Sequence, residues 1–209
     1  MRKKKLIRLV VFILLILAII IGVMHILNKN KTTQKLSAIY NKLKDGQSYL
    51  FEMERNDENK VIMAQKNNQI VIDQYSKDNH STTVVKDNNT YLILHDREEY
   101  YVYEQNNVKQ NILPDGIKEF IDKPFETGTE KIKGKKYSYE EYSGSTMFII
   151  TNDLDISQQN VKTRFFFDND GNLAYIKTMT ENDQELLKIS LTNEVKDDIF
   201  NIPSHYAEY

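Results

Sequence analysis

Four histidines, 30 acidic side chains and no cysteine are the chemistry-bearing stock of this 209-residue chain. A hydrolase or transferase needs a nucleophile with a base in reach, or two carboxylates converging on one bond, and no such pattern stands out. His25, His80, His95 and His205 include no pair at metal-ligand spacing, so each reads as a surface or half-buried imidazole. Asp168-Asn-Asp-Gly-Asn172 begins as a calcium loop does. An EF-hand, however, needs glycine at its sixth position and glutamate at its twelfth, where this chain has Leu173 and Met179. The segment therefore reads as a tight turn between two strands. No Gly-x-Gly-x-x-Gly, Walker or serine-elbow motif occurs, and Gly144-Ser-Thr is too short to weigh. The expectation is a protein that is not an enzyme, with no catalytic residue, no metal ligand and no cofactor.

The N-terminus says where such a protein works. Arg2, Lys3, Lys4, Lys5 and Arg8 lead into an apolar run that ends near Leu27. At about 1.5 Å of helical rise per residue, residues 6–27 reach roughly 30 Å, the thickness of a bilayer's hydrocarbon core. The run exceeds the core of a cleaved signal peptide and no Ala-x-Ala follows it, so it reads as an uncleaved signal anchor. The positive-inside preference places residues 1–5 in the cytoplasm. After a linker at 28–35, residues 36–209 form one domain outside the cell membrane. Five of the 28 basic residues and none of the 30 acidic ones precede residue 28, so that exported part has 23 basic against 30 acidic residues, a net charge of −7. An acidic domain is a poor partner for nucleic acid, which is bound through clustered Lys and Arg. The dense basic stretch Lys131-Ile-Lys-Gly-Lys-Lys136 reads as a solvated hairpin tip.

Leu36, Ile39, Tyr40 and Leu43 share one helical stripe, and Asp45-Gly46 supplies a stop. The period then drops to two: Tyr49, Phe51 and Met53 alternate with Ser48, Glu52 and Glu54. Apolar runs at 61–64, 70–75, 82–85, 91–94 and 100–103 are separated by turn residues such as Asn67-Asn68 and Asp87-Asn-Asn89, which predicts an antiparallel meander. A short helix is expected over 114–121, then strands at 137–142, 147–151, 162–167, 173–180 and 185–191. The fold class is mainly β within α+β: one curved antiparallel sheet, a half-barrel, with short helices on its concave side.

Tyrosine is abundant, with 13 against no tryptophan. Tyr100-Tyr-Val-Tyr103 with Tyr137, Tyr139 and Tyr142 suits either core packing or an interface. An apolar ligand, if one is held, would meet Tyr49, Phe51, Met53, Phe165 and Phe167 on the concave face.

Three segments carry a family resemblance: the amphipathic helix ahead of the first strand, the hairpin Thr163-Arg-Phe-Phe-Phe-Asp-Asn-Asp-Gly-Asn-Leu-Ala174, and the ending Leu191-Thr-Asn-Glu-Val-Lys-Asp-Asp-Ile-Phe-Asn-Ile-Pro-Ser-His-Tyr206. Together they resemble the LolA/LppX family of exported lipoprotein carriers. The resemblance implies a LolA-like half-barrel with an apolar cavity, and extends to membrane-associated relatives of sporulation and germination such as the germination lipoprotein GerS. An anchored chain cannot shuttle through a compartment as a soluble carrier does. It implies instead an extracytoplasmic binding protein acting through a protein partner in the cell envelope, with a lipid carrier or acyl-chain sensor as the alternative. Exchange of strands into a homodimer is left open.

Overall fold

Leu36, Ile39 and Leu43 turn inward together, and the helix they predict is present as α1 (Lys35–Asp45). The computed structural model describes residues 34–46, 48–56, 59–104, 112–144 and 161–209. The basic tail, the anchor at 6–27, nearly all of the linker and the strand expected at 147–151 lie outside the described residues. Among the described residues no helix is long and apolar enough to cross a membrane. Lys35–Tyr209 forms one compact unit.

The helix stops where a side chain would not fit, because a Cβ on Gly46 would sit 2.7 Å from the Lys42 carbonyl oxygen. Its start is capped from far away. Glu140, fully buried, accepts hydrogen bonds from the backbone N–H groups of Lys35 and Leu36 and from the Tyr142 hydroxyl, the last at 2.9 Å. A carboxylate there satisfies two of the donors a helix leaves orphaned at its N-terminus and complements the helix dipole.

The meander runs β1 (Ser48–Asn56), β2 (Asn59–Lys66), β3 (Gln69–Ser76), β4 (Asn79–Lys86), β5 (Asn89–Leu94) and β6 (Glu99–Glu104). Asn67-Asn68 and Asp87-Asn88 have positive φ at both central positions, as the tight hairpin turns between twisted strands require. The second helix, α2 (Ile112–Lys118), begins two residues before the proline expected to open it. A second meander follows in β7 (Glu126–Ile132), β8 (Lys135–Ser143), β9 (Lys162–Phe167), β10 (Leu173–Met179) and β11 (Gln184–Thr192). The expected turn at 168–172 is present: Asp168 accepts from the backbone N–H of Asp170 and of Asn172, which uses its carboxylate on its own loop.

The two meanders join through the first and last long strands, β1 and β11, and with the short C-terminal strand β12 (Ala207–Glu208) form one large, open, curved sheet of order β12-β6-β5-β4-β3-β2-β1-β11-β10-β9-β8-β7. Two elements depart from expectation. Strand β7, Glu-Thr-Gly-Thr-Glu-Lys-Ile, has almost no apolar alternation. It is an edge strand that charge keeps from further pairing, and the Tyr139 ring covers Gly128 in place of the missing side chain. The sheet is also not wholly antiparallel, since β12 (Ala207–Glu208) pairs parallel to β6.

Each face is covered over part of its area. On one, α1 and α2 pack over β1, β2 and β8–β11; on the other, the C-terminal segment sets Val195, Ile199, Phe200, Ile202 and Tyr206 against Ala64, Val71, Val84 and Ile93. Each such buried large side chain contributes about 1.5–3 kcal/mol by transfer out of water.

On the face away from the helices, β7–β10 carry an ionic network. Glu141, 4% exposed, accepts from Lys162 and Arg164; Arg164 also reaches Glu130, which accepts from Lys177. Burial alone would raise the Glu141 carboxyl, but the hydrogen bonds from Lys162 and Arg164 outweigh it and hold the group below its ordinary value. Such a carboxyl adds stability above its unfolded value of about 4.3 and loses that contribution as pH falls through the folded value. Glu141→Gln should therefore lose less stability than the wild type between about pH 7 and about pH 3. Thermal midpoints across that range check it, and identical pH slopes would remove the linkage.

Candidate functional site

Strand alternation sends Tyr49, Phe51 and Met53 to the face that carries α1 and α2, and Phe165 and Phe167 on β9 reach the same face. The five residues anticipated for an apolar ligand thus lie together. Each is buried, and the surface over them is taken up by Leu36, Ile39, Leu43, Leu113, Ile117 and Phe120 of the same chain. Burial pushes the Tyr49 hydroxyl up to about 12, so it stays neutral. The cavity beside this core, between α1 and the β10–β11 side, is about 200 Å³ and is lined by Ile39, Leu43, Leu173 and Leu191 among others.

The same face continues beyond the helices. One cross-strand row runs Phe51, Met63, Ile72, Thr83, Leu92, Tyr101 from β1 to β6. Phe51 and Met63 are buried, whereas the four residues from β3 outward are only half-buried. Tyr103, two residues along β6 on this face, is 51% exposed. A core row that emerges into solvent leaves an apolar shelf on β3–β6.

The tyrosines do not form one wall. Tyr101 and Tyr103 border the shelf, while Tyr100 packs on the opposite face with the C-terminal segment. Tyr142 lies in the core against Phe120 and Phe165. Tyr139 faces the other way, against Phe166 and beneath the Arg164 guanidinium. On that opposite face an open groove of about 980 Å³ is lined by Ser48, Leu50 and Lys66 together with residues of the 192–199 segment, to which Ser48 and Lys66 also donate hydrogen bonds.

Register also assembles a polar cluster that spacing along the chain concealed. Asp73 pairs with Thr82 across β3 and β4, and His80 pairs with Tyr75 two residues along. Ser81 pairs with Leu94, so the next positions, His80 and His95, fall opposite one another. Their rings stack with centroids 3.8 Å apart and planes at 14°. His80 Nε2 stands 2.9 Å from Asp73 Oδ1, and Thr82 Oγ1 lies 2.6 Å from Asp73 Oδ1 and 2.7 Å from His95 Nε2. His95 Nδ1 meets the Tyr206 hydroxyl at 3.0 Å. Burial, and then the neighbouring His80, hold the His95 imidazole below its ordinary value, which favours the neutral ring. The signal available in the sequence was the alternation that sends positions 73, 80 and 82 to one face; the hairpin register was needed to complete it.

No family model matches this chain, and no curated protein matches it. Among solved structures, an uncharacterized conserved protein from Thermus thermophilus is similar at 10% identity and a TM-score of 0.48, over 86% of this chain and 99% of that one. The lipoprotein LppX of Mycobacterium tuberculosis is similar at 12% identity and a TM-score of 0.42, over 78% of this chain and 97% of that one. Likenesses this shallow carry over no residue, ligand or activity.

Proposed function

We propose that the chain is a non-enzymatic binding protein displayed on the outer face of a cell membrane by residues 6–27, and that an envelope protein partner docks on the half-open shelf of β3–β6. The observation that supports this most is the row Ile72, Thr83, Leu92, Tyr101, which continues a packed core into a half-exposed apolar strip bordered by Tyr101 and Tyr103. Tyrosine is enriched in protein interfaces, and the fully buried part of an interface is more apolar than the surface around it. Among the described residues, the cavity beside the helix-covered core is about 200 Å³, smaller than the about 300–1,000 Å³ of small-molecule pockets, so that face serves an enclosed acyl chain less well. A role next to cell-wall enzymes, such as the resemblance to germination proteins implies, falls within this reading.

A photo-crosslinking residue placed at Leu92 in cells should capture one discrete protein. Leu92→Asp should lower its retention by about 30-fold or more, the effect of losing about 2 kcal/mol at a central anchor. Native mass spectrometry of Lys35–Tyr209 supplies the opposite outcome. A lipid-sized adduct that vanishes in Leu92→Asp, with no crosslinked protein, would overturn the partner reading in favour of a lipid carrier or acyl-chain sensor. The same spectrum reports whether the unit is a monomer or a homodimer.

A further inference from the structure

We propose that Asp73, His80 and His95 form a binding site for a zinc-class divalent cation, with Tyr206 holding the His95 ring from behind. Two imidazoles and one carboxylate are a donor set that Zn²⁺ and its transition-metal neighbours accept. One ligand atom from each of the three residues lies within 4.8 Å of the others. Tetrahedral bonds of about 2.0–2.2 Å set ligand atoms about 3.3 Å apart, so the 2.9 Å separation of His80 Nε2 and Asp73 Oδ1 is already near that edge. The stacked imidazoles must splay by side-chain rotation to converge on an ion. Both sit where the ladder gives most: His80 is the second residue of β4 and His95 lies just past the end of β5. All three residues are half-buried, which leaves a path for the ion and room for water in a fourth position.

The protons balance without outside help. In the present network Thr82 donates to Asp73, His95 donates to Thr82 through Nε2–H, and Tyr206 donates to His95 Nδ1. A ring that binds the ion through Nε2 carries its single proton on Nδ1, so loading requires Nε2 of both rings to be free of its proton, which exposes both Nε2 lone pairs. Tyr206 then changes from donor to acceptor, and the His95 Nδ1–H···Oη bond becomes the outer contact that orients a metal-bound histidine. Tyr206 belongs to the segment that covers the sheet's second face, so the ion would tie that segment to β3–β5.

The full chain, purified in mild detergent and stripped of metal, is titrated with Zn²⁺ by calorimetry, and with Co²⁺ followed by its ligand-field absorption. One ion per chain is expected. His80→Gln and the isosteric Asp73→Asn should each weaken binding at least ~10-fold, and Tyr206→Phe, which leaves every ligand in place, by about 10–100-fold. His205→Gln should bind as the wild type does. Absence of stoichiometric binding by the wild-type chain overturns the site whatever the variants do. Undiminished binding in both His80→Gln and Asp73→Asn overturns it as well.

Discussion

Phe165→Ala is expected to destabilise the protein by about 3–5 kcal/mol, the cost of emptying a large aromatic site in a packed core. The ring is completely buried and meets Phe120 and Tyr142 edge-on, at centroid distances of 4.9 Å and 5.8 Å. Truncation removes two aromatic contacts together with the transfer free energy of the ring. The hole it leaves is bounded by the sheet on one side and by the α2 end on the other, and neither can collapse inward freely. Urea unfolding should show a lower midpoint at unchanged slope, and the thermal midpoint should drop by about 6–20 °C. Tyr103→Ala, at an exposed position of the same face, should stay within about 0.5 kcal/mol. The outcome also bears on function. A loss below about 1 kcal/mol at Phe165 would mean that the helices do not pack this face tightly, and would return the acyl-chain reading to first place.

Glu140→Ala is expected to cost about 2–4 kcal/mol, because it removes the buried carboxylate that accepts from the Lys35 and Leu36 N–H groups and from the Tyr142 hydroxyl. Glu140→Gln keeps one acceptor but loses the charge and turns an amide donor toward one of the two backbone N–H groups, which bond different carboxylate oxygens, so about half that cost is expected. Tyr142→Phe combined with Glu140→Ala should be clearly non-additive, since both remove the same hydrogen bond. Chemical denaturation of the wild type, the two single variants and the double variant checks this. Additivity within about 0.3 kcal/mol would mean that Glu140 does not act on Tyr142. The cap joins α1 to β8 across about a hundred residues of sequence, so its loss should loosen the helix from the sheet as well as fray its first turn.

Most strands could be placed from the chain alone, because a half-buried strand writes its period of two into neighbouring residues. Tyr49-Leu-Phe-Glu-Met53 is an example, and the paired positive-φ turns at Asn67-Asn68 and Asp87-Asn88 mark where strands reverse. Strand β7 escaped because an edge strand need not alternate, and β12 because two residues carry no period. The cover on the second face was foreshadowed only by an apolar ending, Phe200-Asn-Ile-Pro-Ser-His-Tyr206, whose docking partners lie more than a hundred residues upstream. Alternation puts Tyr49, Phe51 and Met53 on one face of β1 and Phe165 and Phe167 on one face of β9, and all five share one buried cluster. Sequence could not say that α1 and α2 fill the space over them, since helix–sheet packing is a contact between distant segments.

Local chemistry in the sequence determined the meanders, the amphipathic first helix, the acidic balance beyond residue 27, and the expectation of an anchor in residues 6–27. These depend on the period and composition of contiguous residues. Tertiary structure alone decided the β1–β11 junction, the carboxylate cap on α1, the point where the apolar row emerges at β3, and the meeting of Asp73, His80 and His95. Each of those is a matter of register or docking between segments far apart in the chain. A one-residue slip would send a strand's side chains to the opposite face, and only the summed packing of both faces selects the register in which these residues meet.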